Sequence, residues 1–383
     1  MRLLIAGGGT GGHIYPALAV AEALRRRDAG ADLGWVGGHR GLEASIVRDA
    51  GIPLRRLALR SLRTVEVDAH LVLDPVRLAA SVPQATAMLA RDTPAAIFTT
   101  GGYVAIPVVL AARPLGIPVL LWEGNVHPGR STRAIAGLVR AIAVSLGETC
   151  RHMPARVPCY ETGTPIRDLA SIDRATARAR LGIPDEARLV LIFGGSQAVR
   201  RFNEAVAAAL PELADRVHVI HVTGHDGYAA ALAGRERLAP EARARYRPEA
   251  CLRETMTDAL AAADLVIGRA GASTLAEVTA LGLPLVVVPY PHAAGHQRAN
   301  AQRLAEVGAA RFVEDEAFDA AALLAGIGLL DDAAAVERMR SASRAEGRPG
   351  AADAVADLLL ALARRGTLPS PATIEARSRG LGA

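Results

Sequence analysis

Short apolar runs alternate with amphipathic stretches along most of the chain. In the first half the runs are Arg2–Ala6, Leu33–Gly37, Ala96–Thr99, Pro118–Trp122 and Ala141–Ser145. They are continuous rather than alternating, the pattern of parallel strands buried on both faces. Between them, Pro16–Arg27, Leu42–Asp49, Leu71–Ala90 and Val104–Arg113 carry apolar residues at helical spacing. Strand and helix in strict alternation predict an α/β fold with a doubly wound sheet.

The alternation lapses where Pro154, Pro158, Gly163 and Pro165 fall close together, which places a domain boundary there. The first domain is expected over 1–163 and the second over 164–345. After the boundary the pattern restarts. Leu189–Phe193 reads as a strand, Gly194-Gly195-Ser196 as a turn and Val199–Leu210 as a helix; Val217–Val222 is the next strand. Asp264–Ile267 then feeds Gly271-Ala272-Ser273-Thr274 and a helix ending at Leu281, with Leu285–Val288 as a further strand. Two Rossmann-like halves in series is the economical architecture. Ala351–Arg365 forms a last amphipathic helix, and the Pro-, Ser- and Arg-rich tail 366–383 is expected to be disordered.

Composition narrows the chemistry. The 383 residues suit two or three domains, and a 51% hydrophobic fraction supports large cores. All 44 basic residues are arginine, which excludes a Schiff-base lysine and a P-loop lysine. The formal net charge of +5 suits an anionic membrane surface or a phosphorylated substrate. With 3% aromatic residues and no long basic tail, nucleic acid is not the expected partner. Cys150, Cys159 and Cys251 form no CxxC pair and are expected as reduced thiols, structural or incidental. The N-terminal apolar run is strand-length and ends in glycines, unlike a secretory leader. The longest apolar region, Ile106–Trp122, is broken by Arg113, Pro114 and Pro118, so no membrane span is expected.

Gly7-Gly8-Gly9-Thr10-Gly11-Gly12-His13 joins the first strand to the helix opening at Pro16. Glycines there admit a bulky ligand, and helix-start N–H groups favour negative charge. Gly7-x-Gly9-x-x-Gly12 also fits the dinucleotide fingerprint, which wants an acid closing the second strand. That strand ends Val36-Gly37-Gly38-His39-Arg40, with no acid, although Arg40 could serve a 2′-phosphate and an NADP enzyme stays open. In the second half, Gly194-Gly195-Ser196-Gln197 and Arg269-Ala270-Gly271-Ala272-Ser273-Thr274-Leu275-Ala276-Glu277 sit where ligands bind open α/β sheets. Glu277 lies one turn after Ser273 and can accept from ribose hydroxyls. The stretch from Pro289-Tyr290-Pro291-His292 through Gln297 and Asn300 offers amides for sugar hydroxyls. Together these suit a nucleotide-diphosphate-sugar, and no acidic pair at a strand end demands a metal.

These segments, in this order, resemble the MurG family of glycosyltransferases (family 28). The resemblance runs from Leu3 to about Val313 plus the final helix. It rests on Gly8 to Ala19, Thr100-Gly101-Gly102-Tyr103-Val104, Glu123-Gly124-Asn125, Gly163-Thr164-Pro165-Ile166-Arg167, Gly194 to Gln197, Arg269 to Glu277 and His292 to Asn300. It implies the GT-B fold, two Rossmann-like domains around a cleft, with helix 351–365 packing back toward the N-terminal domain. It implies transfer of GlcNAc from UDP-GlcNAc to lipid I with inversion, by a peripheral enzyme on the cytoplasmic face of the bacterial membrane. No cofactor or metal is implied, and other wall-synthesis proteins are possible partners.

By the same resemblance, Thr10, Gly11 and Gly12 approach the donor's sugar and diphosphate, and Asn125 touches the sugar. Arg167 and Ser196 match diphosphate contacts. Ala272, Ser273, Thr274, Leu275, Ala276 and Glu277 wrap the nucleotide, Gln297 holds a sugar hydroxyl, and the uracil contact falls near Arg253 or Met256. Gly102 and Tyr103 lie on the acceptor side. His13 is the candidate general base, with Glu123 as runner-up, since a neutral imidazole suits proton abstraction near pH 7. The chain departs from the family pattern at Gly124, where the family has Gln, at Ala198, where it has Gly, and at Ala270, where it has Ser. Another UDP-sugar transferase, a UDP-sugar epimerase or a non-catalytic nucleotide-sugar binder are the neighbouring readings. Leu71, Leu73, Val76, Leu78, Val82 and Met88, on a segment carrying Arg77 and Arg91, with Arg130, Arg133 and Arg140 in another stretch of the first half, suit an anionic lipid surface.

Overall fold

The computed structural model describes residues 1–9, 11–39, 43–59, 70–169, 172–194, 200–252, 255–291 and 295–381, and the backbone alone for 43 and 70–76. The chain forms two compact units, Met1–Arg167 with Gly350–Ala383, and Asp168–Pro349.

The first unit opens with β1 (Arg2–Ala6), α1 (Gly11–Arg27), β2 (Asp32–Gly37), α2 (Glu43–Asp49), β3 (Leu54–Arg56) and α3 (His70–Asp92). It continues with β4 (Ala96–Thr99), α4 (Gly102–Ala112), β5 (Val119–Glu123), α5 (Arg130–Ile135), β6 (Ala141–Val144) and β7 (Cys159–Glu161). Its sheet runs β3-β2-β1-β4-β5-β6-β7, with every pairing parallel. Successive residues of β1 face opposite layers. Leu3 and Ile5 join the core beneath α1, whereas Leu4 and Ala6 join the core beneath α4. Both layers are dry, so the strand reads as one apolar run.

The second unit contains α6 (Arg174–Leu181), β8 (Leu189–Phe193), α7 (Arg200–Arg216), β9 (His218–Val222), α8 (Gly224–Glu236), α9 (Pro240–Arg245) and β10 (Tyr246–Glu249). It goes on through α10 (Met256–Ala262), β11 (Leu265–Gly268), α11 (Ala272–Ala280), β12 (Leu285–Val287), α12 (His296–Glu306), β13 (Ala310–Phe312), α13 (Ala320–Ile327) and α14 (Ala333–Glu346). Its sheet runs β10-β9-β8-β11-β12-β13, again with every pairing parallel. In each unit the strand order reverses beside the first strand, at β1/β4 and β8/β11. Ligands of open α/β sheets bind at that reversal, outside the carboxyl ends of the strands.

The chain then returns to the first unit as α15 (Ala351–Ala363) and α16 (Pro371–Ser378). Val355, Leu358, Leu359 and Leu362 of α15 share a core with Ile14, Ala17, Val20 and Leu24 of α1.

The structure corrects several sequence expectations. The tail beyond Gly366 is not disordered: Ser370 caps α16 through the Thr373 N–H, and Ile374 is 1% exposed. One buried isoleucine and a cap order a segment whose composition is otherwise polar. The unit boundary falls after Arg167 rather than at 163. Thr164 shares a 2.6 Å hydrogen bond with Ser145, and the Gly163 carbonyl accepts from the Trp122 indole, which pins this stretch to the first sheet. Cys150 and Cys159, expected as free thiols, are disulfide-bonded because a 3₁₀ segment, Gly147–His152, folds back beside β7. Cys251 is free and exposed. α1 begins at Gly11 rather than Pro16, so His13 sits within its first turn. No helix among the described residues is long and apolar enough to cross a membrane.

Candidate active site

In the first unit the site is built at the β1/β4 reversal. The loop after β1 is held from below: the Trp35 indole donates to the Gly7 carbonyl at 2.8 Å. A side chain at Gly7 would place its Cβ 2.9 Å from the Thr100 hydroxyl, so only glycine fits. Across the reversal, Gly101 and Gly102 both have positive φ, which lets the chain turn sharply into α4.

His13 is fixed by that turn. Its Nδ1 lies 2.8 Å from the Thr100 carbonyl, and the Thr100 hydroxyl donates to the His13 carbonyl at 3.0 Å. A carbonyl only accepts, so Nδ1 carries the proton and the neutral ring keeps its lone pair on Nε2. A Cβ at Gly102 would come within 3.6 Å of that Nε2, so the ring lies over the start of α4. Gly12 is exposed, and His13 and Gly11 are half-buried. Tyr103 instead lies beneath the loop. It is 9% exposed, and Cβ atoms at Gly9 and Gly38 would stand 3.1 and 2.5 Å from its ring and hydroxyl.

The second cluster follows β5, two strands from β1. Glu123 is 6% exposed. Its Oε1 accepts from the backbone N–H and side-chain amide of Asn125 at 3.0 and 2.9 Å, and its Oε2 from the Gly129 N–H at 3.2 Å. The Thr149 hydroxyl donates to the Asn125 carbonyl at 3.1 Å. The carboxylate therefore closes the loop on itself. Gly124 also has a local cause: a Cβ there would meet the Trp122 ring at 2.6 Å. Arg167 is half-buried and ends the first unit.

In the second unit, Gly271 precedes α11 with no side-chain cap, so the first-turn N–H groups of Ala272, Ser273 and Thr274 have no helical carbonyl to bond. These are the donors a phosphate needs. Glu277, one turn further along, is 8% exposed. Arg269 is 5% exposed. Its guanidinium is paired with Asp315, lies 4.7 Å from the Phe202 ring centroid and donates to the Val288 and Pro289 carbonyls. Gln297, in the first turn of α12, accepts the Tyr290 N–H at 3.0 Å through Oε1, which leaves its Nε2 as the donor end. Asn300 is 4% exposed and reaches the Ala270 carbonyl at 3.4 Å. Thr10, Ser196, Arg253 and His292, with Gln197 and Ala198, lie outside the described residues. Among the described residues no group of three or more His, Cys, Asp or Glu side chains could hold a metal ion.

Sequence reasoning overlooked the Thr100 carbonyl, Trp35, Gly129 and Asp315. Two act through backbone atoms, and the other two are remote in sequence from what they hold.

Two doubly wound parallel sheets, each with a glycine-rich strand-to-helix turn at its reversal, are the GT-B fold class. Residues 3–144 match the glycosyltransferase family 28 N-terminal domain, and residues 189–355 match the family's C-terminal domain. The UDP-N-acetylglucosamine–N-acetylmuramyl-(pentapeptide) pyrophosphoryl-undecaprenol N-acetylglucosamine transferase of Desulforudis audaxviator is 41% identical over 96% of this chain and 100% of its own. The enzyme of the same name from Moorella thermoacetica is 39% identical over 94% of this chain and 98% of its own. The crystal structure of Acinetobacter baumannii MurG superposes with a TM-score of 0.73 at 29% identity, covering 94% of this chain and 99% of that one. The chain belongs to glycosyltransferase family 28, among the MurG-type glycosyltransferases.

Proposed function

We propose that this chain transfers GlcNAc from UDP-GlcNAc to the 4-hydroxyl of MurNAc in undecaprenyl-pyrophosphoryl-MurNAc-pentapeptide (lipid I), giving lipid II with inversion at the anomeric carbon. The observation that carries the mechanism is the Nδ1–H bond from His13 to the Thr100 carbonyl. It presents Nε2 as a base and steadies the imidazolium that forms. As the 4-hydroxyl oxygen bonds to C1, its proton passes to Nε2, the C1–O bond to UDP breaks, and the electron pair leaves with the diphosphate. The α11 N–H groups, Arg167 and Ser196 receive that charge. Glu277 takes the ribose hydroxyls, Arg253 or Met256 supplies the uracil contact, and Gln297 and Asn125 hold the sugar, with Thr10, Gly11 and Gly12 making room for it. No metal is required by this scheme.

Glu123 is a positioning residue in this reading, because all three of its hydrogen bonds organise Asn125 and Gly129. Gly102 borders the acceptor's reacting hydroxyl. Tyr103 supports the loop rather than touching substrate.

Peripheral association with the cytoplasmic face of the membrane is part of the proposal. Arg130, Arg133 and Arg140 are exposed, and Leu78, Val82 and Met88 of α3 are half-buried. Such a surface attracts anionic lipid. Cosedimentation with vesicles containing anionic lipid, lost in high salt and absent with neutral vesicles, is expected; equal binding to both would refute it.

The transfer is tested with UDP-GlcNAc labelled in the sugar and a lipid I analogue. Label moving into the lipid fraction through a β-linkage supports the assignment. Label recovered as an epimerised nucleotide sugar, or retained on UDP, refutes it.

A further inference from the structure

Asn125, assigned to the donor sugar, lies in the loop between β5 and α5, outside any helix or strand. Three hydrogen bonds fix it, and they come from two directions. From β5, Glu123 Oε1 accepts its backbone N–H at 3.0 Å and its side-chain amide at 2.9 Å. From the 3₁₀ segment Gly147–His152, the Thr149 hydroxyl donates to its carbonyl at 3.1 Å. Among the described residues no other group meets that carbonyl. The N–H bond holds the peptide plane that precedes Asn125, and the carbonyl bond holds the plane that follows it. Its φ and ψ are thereby set together, and with them the direction of the side chain. A carboxylate only accepts, so the amide nitrogen of Asn125 faces Glu123. Its Oδ1 and second amide hydrogen have no partner among the described residues, and these are the groups left for a sugar hydroxyl.

Thr149 is itself held in place. It is fully buried, and its own N–H donates to the Leu146 carbonyl at 3.0 Å, which closes the 3₁₀ turn. Cys150, next in the chain, is bonded to Cys159 of β7. His152 meets His127 of the Asn125 loop edge-on, with 5.3 Å between ring centroids. The segment is thus fastened to the sheet on one side and to the loop on the other. The branched Cβ of threonine restricts χ1, so the hydroxyl stays on the carbonyl rather than rotating away. Packing alone would need only a small apolar residue here, and the hydroxyl's one hydrogen bond goes to Asn125.

We propose that Thr149 is a positioning residue for the donor sugar. By holding the Asn125 carbonyl it aims the Asn125 amide at a sugar hydroxyl, and so sets the affinity for UDP-GlcNAc without touching it. The proposal rests on the reading of Asn125 as a sugar contact. It separates sugar from nucleotide: UDP alone has nothing for Asn125 to hold, so its affinity does not depend on Thr149.

Calorimetric titration of the full chain with UDP-GlcNAc and with UDP tests this. Thr149→Val keeps the shape and removes the hydroxyl. It is expected to weaken UDP-GlcNAc binding about fivefold, the effect of one ordinary hydrogen bond, and to leave UDP binding unchanged. Thr149→Ala makes the same deletion, should the valine variant fold poorly. Thr149→Ser keeps the hydroxyl and is expected to bind both ligands as the wild type does. In an Asn125→Ala background, Thr149→Val is expected to have no further effect on UDP-GlcNAc, whereas a general disturbance of the fold would persist there. If Asn125→Ala weakens UDP-GlcNAc binding and neither Thr149→Val nor Thr149→Ala does, the proposal is overturned and Asn125 keeps its role. If Asn125→Ala binds UDP-GlcNAc as the wild type does, the reading of Asn125 is overturned, and the proposal with it. Equal weakening of UDP and UDP-GlcNAc by Thr149→Val, or no recovery in the serine variant, also overturns the proposal.

Discussion

Replacing Glu123 separates positioning from proton transfer. Its carboxylate accepts three N–H groups at 3.0, 2.9 and 3.2 Å in a site where the residue is 6% exposed. Glu123→Ala leaves all three donors without their acceptor. A buried donor left unpaired costs about 1–3 kcal/mol, and water entering the truncated space recovers part of it. The expected loss is about 3 kcal/mol, or roughly 6–12 °C in the melting transition of a unit this size. Glu123→Gln keeps the shape but turns one acceptor into a donor facing an N–H. It is expected to lose about 1–2 kcal/mol, or roughly 2–8 °C. Both variants are expected to raise the KM for UDP-GlcNAc, because Asn125 is released, while the pH profile of kcat keeps its wild-type shape. Calorimetry and steady-state kinetics on the same preparations measure both. Wild-type melting in both variants, together with a kcat reduced a thousandfold and an altered pH profile, would refute the positioning role and restore Glu123 as the base.

The remaining predictions probe other parts of the structure. Gly124→Gln, which installs the residue expected from the family pattern, collides with Trp122 and is expected to cost about 1–3 kcal/mol; its effect should be non-additive with Trp122→Leu in a double-mutant cycle. His221 is held neutral by burial, with its pKa lowered from 6.5 to about 4, so the unfolded state takes up a proton first as the pH falls. Stability is therefore expected to drop by at most about 3 kcal/mol between pH 6.5 and 4, and His221→Phe should flatten that slope in pH-dependent denaturant titrations. Truncation after Arg365 removes Ile374, the Gly350–Ser378 backbone bond and the Arg377–Asp357 pair, and is expected to cost the first unit about 2–4 kcal/mol by thermal melting.

The central strands were legible because they are dry on both faces, as Leu3–Ala6 and Leu189–Ile192 show. The strands the pattern missed are β3, β7, β10 and β13, which are the sheet edges. An edge strand pairs on one side only and needs no continuous apolar run; β10 even carries Pro248. The glycine loop and His13 were legible as chemistry, but the lock on His13 was not, because its acceptor is a backbone carbonyl 87 residues away. Arg269 opens a segment read as ligand-binding, but its partner, Asp315, lies 46 residues on. Gly124 departs from the family's Gln, and its local cause is the indole two residues earlier.

The central claim, acceptor-directed sugar transfer with His13 as base, is tested most directly by UDP release from UDP-GlcNAc with and without a lipid I analogue. The account predicts release only when the acceptor is present. It also predicts that His13→Ala lowers kcat by about 10²–10⁴ with little change in UDP affinity. Release that does not depend on the acceptor, or wild-type turnover in the His13→Ala variant, would contradict it.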